Sequence, residues 1–222
     1  RCSLRGAAPI GVKIDEGGAI SLFRCGLINQ TDTSPSVGAN VVVGDASAQT
    51  VRDFRAIHSF FENSENGDGV VVNRATSARF AMCHFEKEDP DGNAVACLRI
   101  NPNAQMDHLS VRDCFLSINA DVTSRGIVVN DTNAVVYLTG NNFTDTPGIA
   151  GFVHNLASRF IRVSENYRSN TVTAFVAITE SSTRNNVFFD QNGDTTSNGP
   201  TDGYNVQRLV RSSGTGYGYN TA

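Results

Sequence analysis

Residues 70–73 (VVVN) decide the fold of this 222-residue chain, because variants of this segment return at a near-constant interval. Each variant is a short apolar run followed by a turn residue, and the turn positions are Asp15, Gly44, Asn73, Asn101, Asn130, Asn155 and Thr179. Their spacings are 29, 29, 28, 29, 25 and 24 residues. A sustained repeat of roughly 20 to 50 residues is typical of a solenoid. The sequence therefore predicts one elongated all-β domain.

A second strand-like block occurs in each repeat, with the pattern apolar-x-x-(Cys or Asn)-x-apolar. It is found at residues 22–27 (LFRCGL), 80–85 (FAMCHF), 111–116 (VRDCFL) and 138–143 (LTGNNF), and more loosely at 163–167 and 185–189. Residues 51–61 carry extra residues and break the pattern. Alternation within a block predicts one buried and one wet face. We therefore expect two strands in each repeat.

Stacking the repeats places like residues above one another, about 4.8 Å apart between neighbouring strands. The predicted ladder contains Cys2, Cys25, Cys83, Cys114, Asn141, Asn166 and Asn186. An asparagine amide in this slot bonds to its neighbours above and below, and cysteine fits as a small apolar residue. We interpret the cysteines as ladder thiols. Disulfides between Cys2 and Cys25, or between Cys83 and Cys114, are the alternative.

Composition and charge exclude several classes of function. The net charge of -4 and the pI of about 5.5 give no overall attraction to nucleic acid or to an anionic membrane. No apolar stretch approaches the roughly 18 residues of a membrane span. The five cysteines show no metal-ligand spacing, and no nucleotide or nucleophile motif occurs. The sequence predicts neither a metal nor a cofactor.

These repeats make the chain similar to the right-handed parallel β-helix family, which includes pectin-degrading enzymes, polysaccharide epimerases and bacteriophage tailspikes. The resemblance covers residues 1–190 and implies about seven rungs of 24–29 residues each. Residues 191–222 are expected to form a turn-rich loop, one final strand within 204–211, and a tail. Residues 1–4 match residues 113–116, so the chain opens in mid-repeat. We expect further N-terminal rungs, or a partner that covers the first one.

Acidic segments on consecutive rungs supply the candidate catalytic residues Glu62, Asp68, Glu86 and Asp89. Two carboxylates at roughly 5 to 10 Å support acid/base hydrolysis of a glycosidic bond. The paired-Asp motifs of polygalacturonases, the calcium-site segments of pectate lyases and the pectin-esterase pattern are missing. The alternative is that these are solvated turns.

Arginines recur in the second block, and the candidate glycan-binding residues are Arg24, Arg79, Arg112, Arg162 and Arg184. On one sheet face they would form a stripe that pairs with the carboxylates of an anionic surface polysaccharide. The alternative is local pairing with Asp53, Asp113 and Glu165.

Two functions follow as hypotheses. The first is a structural and adhesive module of a phage tailspike, tail fibre or similar surface appendage, a homotrimer located on the virion or outside the cell, in contact with cell-surface polysaccharide. The second is a polysaccharide lyase, hydrolase or epimerase with its site in the acidic loops. A secreted bacterial adhesin would share the fold.

Overall fold

The computed structural model describes residues 2–6, 10–29, 38–44, 50–63, 67–89, 96–120, 125–145, 153–168, 176–178, 186–190 and 208–211. These residues form strands, turns and bends with no helix among them. The strands assemble into three parallel sheets in which sequence neighbours along one sheet are three strands apart. The chain therefore visits the sheets in turn and coils as an all-β parallel β-helix, as the repeat predicts. Its handedness and its number of rungs stay predictions.

Sheet A has seven strands: β1 (Cys2–Gly6), β4 (Cys25–Asn29), β7 (Phe60–Asn63), β10 (His84–Asp89), β13 (Phe115–Ala120), β16 (Asn142–Asp145) and β19 (Tyr167–Arg168). Sheet B also has seven: β2 (Ile10–Ile14), β5 (Gly38–Val43), β8 (Gly67–Val72), β11 (Ala96–Ile100), β14 (Arg125–Asn130), β17 (Val153–Ala157) and β20 (Val176–Ile178).

Sheet C has eight strands: β3 (Gly17–Phe23), β6 (Val51–Ile57), β9 (Ala75–Ala81), β12 (His108–Arg112), β15 (Val135–Thr139), β18 (Phe160–Ser164), β21 (Asn186–Asp190) and β22 (Arg208–Arg211). The last strand runs antiparallel to β21, unlike the other pairs. It lies within residues 204–211, where the sequence predicts a final strand.

Each repeat holds three strands, so the expectation of two was wrong. The second sequence block is a sheet C strand and the following sheet A strand, joined by one or two residues of which the first is in the left-handed region. These corner residues have φ between 50° and 67°, and they are Arg24, His58, Met82, Asp113, Gly140 and Glu165. A left-handed residue turns the chain sharply within one position. Because five of the six are ordinary side chains rather than glycine, the pattern looks like continuous strand in the sequence.

Register corrects three further assignments. Residues 51–61 do not break the pattern, because Leu22 pairs with Ala56 and Gly26 with Phe60, which places Ser59 in the ladder slot. Asn186 pairs with Phe160 and begins a sheet C strand, so it is not a ladder residue. Asn155 pairs with Val129, one position before the turn residue Asn130, and Asn130 itself pairs with Ala157 after a register shift.

The ladder itself is confirmed from Cys25 to Asn166. In four places a backbone N–H at the corner donates to the ladder side chain of the next rung: Cys25 to Ser59 Oγ (3.3 Å), Cys83 to Cys114 Sγ (3.4 Å), Cys114 to Asn141 Oδ1 (3.0 Å) and Asn141 to Asn166 Oδ1 (3.0 Å). Cys25, Cys83 and Cys114 are free thiols, so the predicted alternative disulfide between the last two is wrong. The side chain of Cys2 lies outside the described residues.

The core fills the space enclosed by the three sheets, and alternate residues of each strand point into it. Inward side chains of adjacent strands stack like on like: the rings of Phe61 and Phe85 lie 5.0 Å apart, and Phe54 lies 5.7 Å from Phe80. All four are buried. Burial of each large apolar side chain contributes roughly 2 kcal/mol to stability, so this stack holds the rungs together. The outward residues are then free to vary.

Candidate functional site

The outer face of sheet C carries a column of arginines. Register pairs Arg55 with Arg79, and the next positions along the same column are Ser110, Tyr137 and Arg162. The three guanidinium-bearing side chains are exposed, while the alternate residues of these strands are buried. Alternation therefore points every member of the column outward.

A single carboxylate organises the start of this column. Asp53 forms an ion pair with Arg55, accepts a hydrogen bond from Ser77 Oγ at 2.7 Å, and lies 4.0 Å from Arg79 Nε. Burial acts to raise the pKa of Asp53, but the bonds from Ser77 and Arg55 and the charges of both arginines outweigh it, so the pKa lies below its ordinary value. The carboxylate is therefore charged at neutral pH and orients the two guanidinium groups.

Aromatic rings continue the same surface. The His108 ring lies 5.3 Å from the Tyr137 ring, which in turn lies 5.8 Å from Phe160. Burial and the charge of Arg79 lower the pKa of His108, against the opposing effect of Asp53. The histidine is therefore a neutral ring at pH 7, and the three rings form a strip beside the arginines.

We call this surface the arginine face, defined by Asp53, Arg55, Arg79, His108, Tyr137, Phe160 and Arg162. Guanidinium groups pair with carboxylates in bidentate geometry, and aromatic rings offer apolar faces to flat, extended ligands. The arrangement suits an elongated anionic molecule lying across the strands.

The predicted arginines do not form one stripe. Arg79 and Arg162 belong to the arginine face. Arg112 lies in a different column at the end of β12, where its Nε donates to the adjacent Asp113 at 2.9 Å. Arg24 lies at a corner with its guanidinium 5.1 Å from the Phe23 ring. Arg184 lies outside the described residues.

The sequence pattern indicated Arg79 and Asp53 but not how His108, Ser77 and Tyr137 join them. These residues are 24 to 84 positions away from Asp53 in the chain. The signal was present in the alternation of residues 51–57, which places Asp53 and Arg55 on one face. Only the register between strands shows which side chains lie opposite them.

Two of the acidic candidates come together on the outer face of sheet A. Glu62 and Glu86 are direct register partners on β7 and β10, which places their backbones about 4.8 Å apart. His84 Nε2 lies 3.7 Å from Glu86 Oε2. Burial lowers the pKa of His84, against the opposing effect of Glu86.

Asp68, the third acidic candidate, does not join this pair. Asp68 lies on β8 in sheet B, where Arg99 contacts its two oxygens at 2.5 and 3.0 Å and the Ala96 N–H donates to it at 2.6 Å. This geometry gives Asp68 a structural role. Asp89 is the last residue of β10, and its side chain lies outside the described residues.

In the part of the chain that the structure describes, no three His, Cys, Asp or Glu side chains form a group that could hold a metal ion. No long apolar helix capable of crossing a membrane occurs among these residues. Comparison with known proteins found no matching family model, no matching curated protein and no matching solved structure.

Proposed function

We propose that this chain is the adhesive β-helical module of an extracellular or virion surface appendage, of the tailspike or tail-fibre kind, and that its arginine face binds an anionic cell-surface polysaccharide. The observation that carries the proposal is the single column that runs Arg55, Arg79, Ser110, Tyr137 and Arg162 across five strands. Uronate units along a glycan would pair with the guanidinium groups while sugar rings rest on the aromatic strip.

The fold supports this role as well. Stacked parallel strands with a continuous apolar core make a rigid rod, and the rod holds exposed side chains at a fixed repeat. A repeating polymer matches a repeating surface. We include in the proposal that three copies assemble side by side, which light scattering after size-exclusion chromatography tests directly.

The binding test compares two ligands that differ only in charge. Oligogalacturonate and the same oligomer with its carboxyl groups reduced to alcohols are titrated calorimetrically into the chain. We expect the acid form to bind, the reduced form to bind at least about tenfold more weakly, and added salt to weaken binding of the acid form. Equal affinity for both ligands contradicts the proposal.

The matched variants are Arg79→Gln with Arg162→Gln, against Arg112→Gln. The double variant removes two guanidinium groups from the arginine face and should weaken binding by about tenfold or more. The control removes Arg112 in another column, which is 70% exposed against 54% for Arg79 and already pairs with Asp113, and should leave affinity unchanged. If Arg112→Gln has the larger effect, the arginine face is not the binding surface.

A second candidate function rests on Glu62 and Glu86. Acid/base glycoside hydrolysis uses two carboxyl groups roughly 5 to 10 Å apart, and side chains at directly paired strand positions can reach that separation. This candidate predicts new reducing ends when the chain is incubated with a cleavable polysaccharide, and loss of that activity in both Glu62→Gln and Glu86→Gln. A chain that binds glycan without creating reducing ends favours the adhesive function.

A further inference from the structure

The outer face of sheet A carries two parallel columns of different chemistry. One column contains Phe60, His84 and Phe115, which are direct register partners on β7, β10 and β13. The column two residues further along the strands contains Glu62 and Glu86. We call these five residues the acidic-aromatic strip.

The rings of the strip are contiguous. The His84 ring lies 4.8 Å from Phe60 and 4.7 Å from Phe115, edge-on in both cases. All three side chains are only partly buried. On the same face the column runs on through Asn142 to Tyr167, whose side chain is 63% exposed. A column of aromatic rings, interrupted by Asn142, therefore runs along this face.

The carboxylates of the strip give it negative charge. Glu62 and Glu86 lie directly opposite each other, and like charges in that position repel. The imidazole of His84 beside Glu86 carries little positive charge at pH 7, because burial lowers its pKa despite the attraction of Glu86. A ligand cation placed between the carboxylates would relieve the repulsion and would also lie beside aromatic rings, which attract cations.

We propose that the acidic-aromatic strip binds an oligosaccharide that carries free amino groups, a ligand class opposite in charge to that of the arginine face. The sugar ammonium groups pair with Glu62 and Glu86, and the apolar faces of the sugar rings lie on the aromatic column. Ser117, the next register partner after Glu86, supplies a hydroxyl to hydrogen-bond the sugar.

The arrangement of strands favours a glycan over a lysine-rich peptide. An extended peptide binds most readily to the free edge of a sheet, where backbone groups are unpaired. Strands β7, β10 and β13 each have a neighbour on both sides. They therefore offer a ligand only their side chains, and a strip of rings beside carboxylates complements the ring faces and amines of an amino sugar.

The test titrates the chain with glucosamine oligosaccharides and with N-acetylglucosamine oligosaccharides of the same length. At about pH 6 the free amines are protonated, and the acetylated ligand keeps the rings but lacks the charge. We expect the amino form to bind at least about tenfold more tightly. Binding of neither ligand, or equal binding of both, overturns the proposal.

Variants locate the site. Glu62→Gln with Glu86→Gln keeps side-chain shape and should reduce affinity for the amino oligosaccharide by about tenfold, while Arg79→Gln on the arginine face should not reduce it. Circular dichroism and a thermal melt show whether the double variant is folded, and Glu86→Gln alone, expected to lose about threefold, gives a second reading. Retained affinity in both variants contradicts the assignment to this strip.

A hexalysine titration separates the two ligand classes. Affinity for hexalysine that equals or exceeds the affinity for glucosamine hexamer would show a surface for cationic peptides and overturn the glycan assignment. This proposal is independent of the arginine face. If uronate oligomers do not bind but glucosamine oligomers do, the proposed function fails and the strip stands.

Discussion

The side-chain amide of Asn141 donates to Asn166 Oδ1 at 2.8 Å, and the same oxygen accepts the backbone N–H of Asn141 at 3.0 Å. On the other side, Asn141 Oδ1 accepts the N–H of Cys114 at 3.0 Å, and its Nδ2 donates to the carbonyl of Val111 at 2.9 Å. Asn141 is buried. One side chain therefore satisfies two backbone groups of the preceding rung and bonds to the ladder side chain of the next, at a corner that water does not reach.

Replacing Asn141 should destabilise the protein by an amount that depends on which backbone groups lose their hydrogen bonds. In Asn141→Leu the Cys114 N–H and the Val111 carbonyl lose their partners, which should lower the free energy of unfolding by about 2 to 4 kcal/mol. Asn141→Cys should cost less, about 1 to 2 kcal/mol. In the preceding rung the thiol of Cys114 accepts the N–H of Cys83, so a cysteine at position 141 can accept the N–H of Cys114 in the same way.

Urea denaturation measures these changes, with Asn142→Ala as the control. Asn142 is the adjacent asparagine, is only partly buried and points to the outer face. Its replacement should change stability by less than about 1 kcal/mol. Equal losses for Asn141→Leu and Asn141→Cys would contradict the hydrogen-bond explanation.

Gly44 and Gly18 should differ strongly in how much stability they lose when replaced by alanine. Gly44 has φ of 80°, and a Cβ atom there would overlap the carbonyl oxygen of Arg74 in the next rung. Gly44→Ala combines a strained backbone with a clash and should cost about 2 to 4 kcal/mol. A Cβ atom at Gly18 meets nothing within 4 Å, so Gly18→Ala should change stability by about 0.5 kcal/mol or less.

Thermal melts of the two alanine variants make this comparison. A Gly44→Ala protein as stable as Gly18→Ala would mean that the sheet B to sheet C corner relaxes without cost. The backbone conformation at Gly44 would then not be a requirement of the stack.

The sheets could be predicted largely because their signal repeats. The segment VVVN at residues 70–73 and its copies mark sheet B, and the pairing of Val43 with Val72 and of Ile100 with Val129 is the register that equal spacing implies. The cysteine and asparagine ladder was predictable for the same reason. Residues at equivalent positions of successive repeats stack on one another whatever their chemistry.

The third strand was not predictable from local pattern. Glycine normally marks a residue in the left-handed region, yet Arg24, His58 and Met82 occupy that conformation at the corners. Their conformation is held by long-range bonds, such as Arg24 N–H to the Ile57 carbonyl at 3.0 Å. The stacked neighbour, rather than the local sequence, determines the bend. The arginine face depends on the same long-range register.

The Asp68 and Arg99 pair should contribute measurably to stability. Their side chains are only 13% and 26% exposed, and two oxygen–nitrogen contacts join them. Asp68→Ala leaves a largely buried guanidinium without its carboxylate and should cost about 2 to 4 kcal/mol. Chemical denaturation gives the value.

An exposed ion pair provides the control for that prediction. Lys13 Nζ lies 2.8 Å from Asp15 Oδ1, and both side chains are about half exposed. Asp15→Ala should therefore change stability by less than about 1 kcal/mol. If Asp68→Ala is equally mild, Asp68 is free of a structural role and becomes a stronger catalytic candidate.

Asp53 should limit the affinity of the arginine face for anions. Its carboxylate pairs with Arg55 and lies near Arg79, so it competes with a ligand carboxylate for the same groups. Asp53→Asn should strengthen binding of oligogalacturonate by about two- to fivefold, an effect of roughly 0.5 to 1 kcal/mol. The gain should shrink as salt is added.

Calorimetry at two salt concentrations checks this, and Ser77→Ala is the matched variant. Ser77 donates to the same carboxylate but carries no charge, so its loss should leave affinity within about twofold. Weaker binding in Asp53→Asn would show that the carboxylate serves the site by orienting the guanidinium groups rather than by competing for them.

Stability should fall as the solution is acidified below about pH 6.5. His84 and His108 both have a pKa below the ordinary value of 6.5, with burial as the largest cause. The unfolded chain therefore takes up protons at these positions before the folded chain does, and folding loses free energy as pH falls from 6.5 toward the lower folded-state values. Above that pH range both rings are neutral in the folded and in the unfolded chain, so they no longer make the free energy of unfolding depend on pH.

Asp53 does not alter the direction of this change. Its pKa lies below 3.8, so its own stabilising effect is lost only at far lower pH. Urea midpoints at about pH 7.5, 6.5 and 5.5 should decline in the native chain. The decline should be smaller in His84→Gln with His108→Gln, since glutamine does not titrate. A native midpoint that is flat or rises on acidification would mean that the folded chain accepts protons at these rings as easily as the unfolded one. The surroundings of His84 in the acidic-aromatic strip and of His108 on the arginine face would then be more hydrated than their burial indicates.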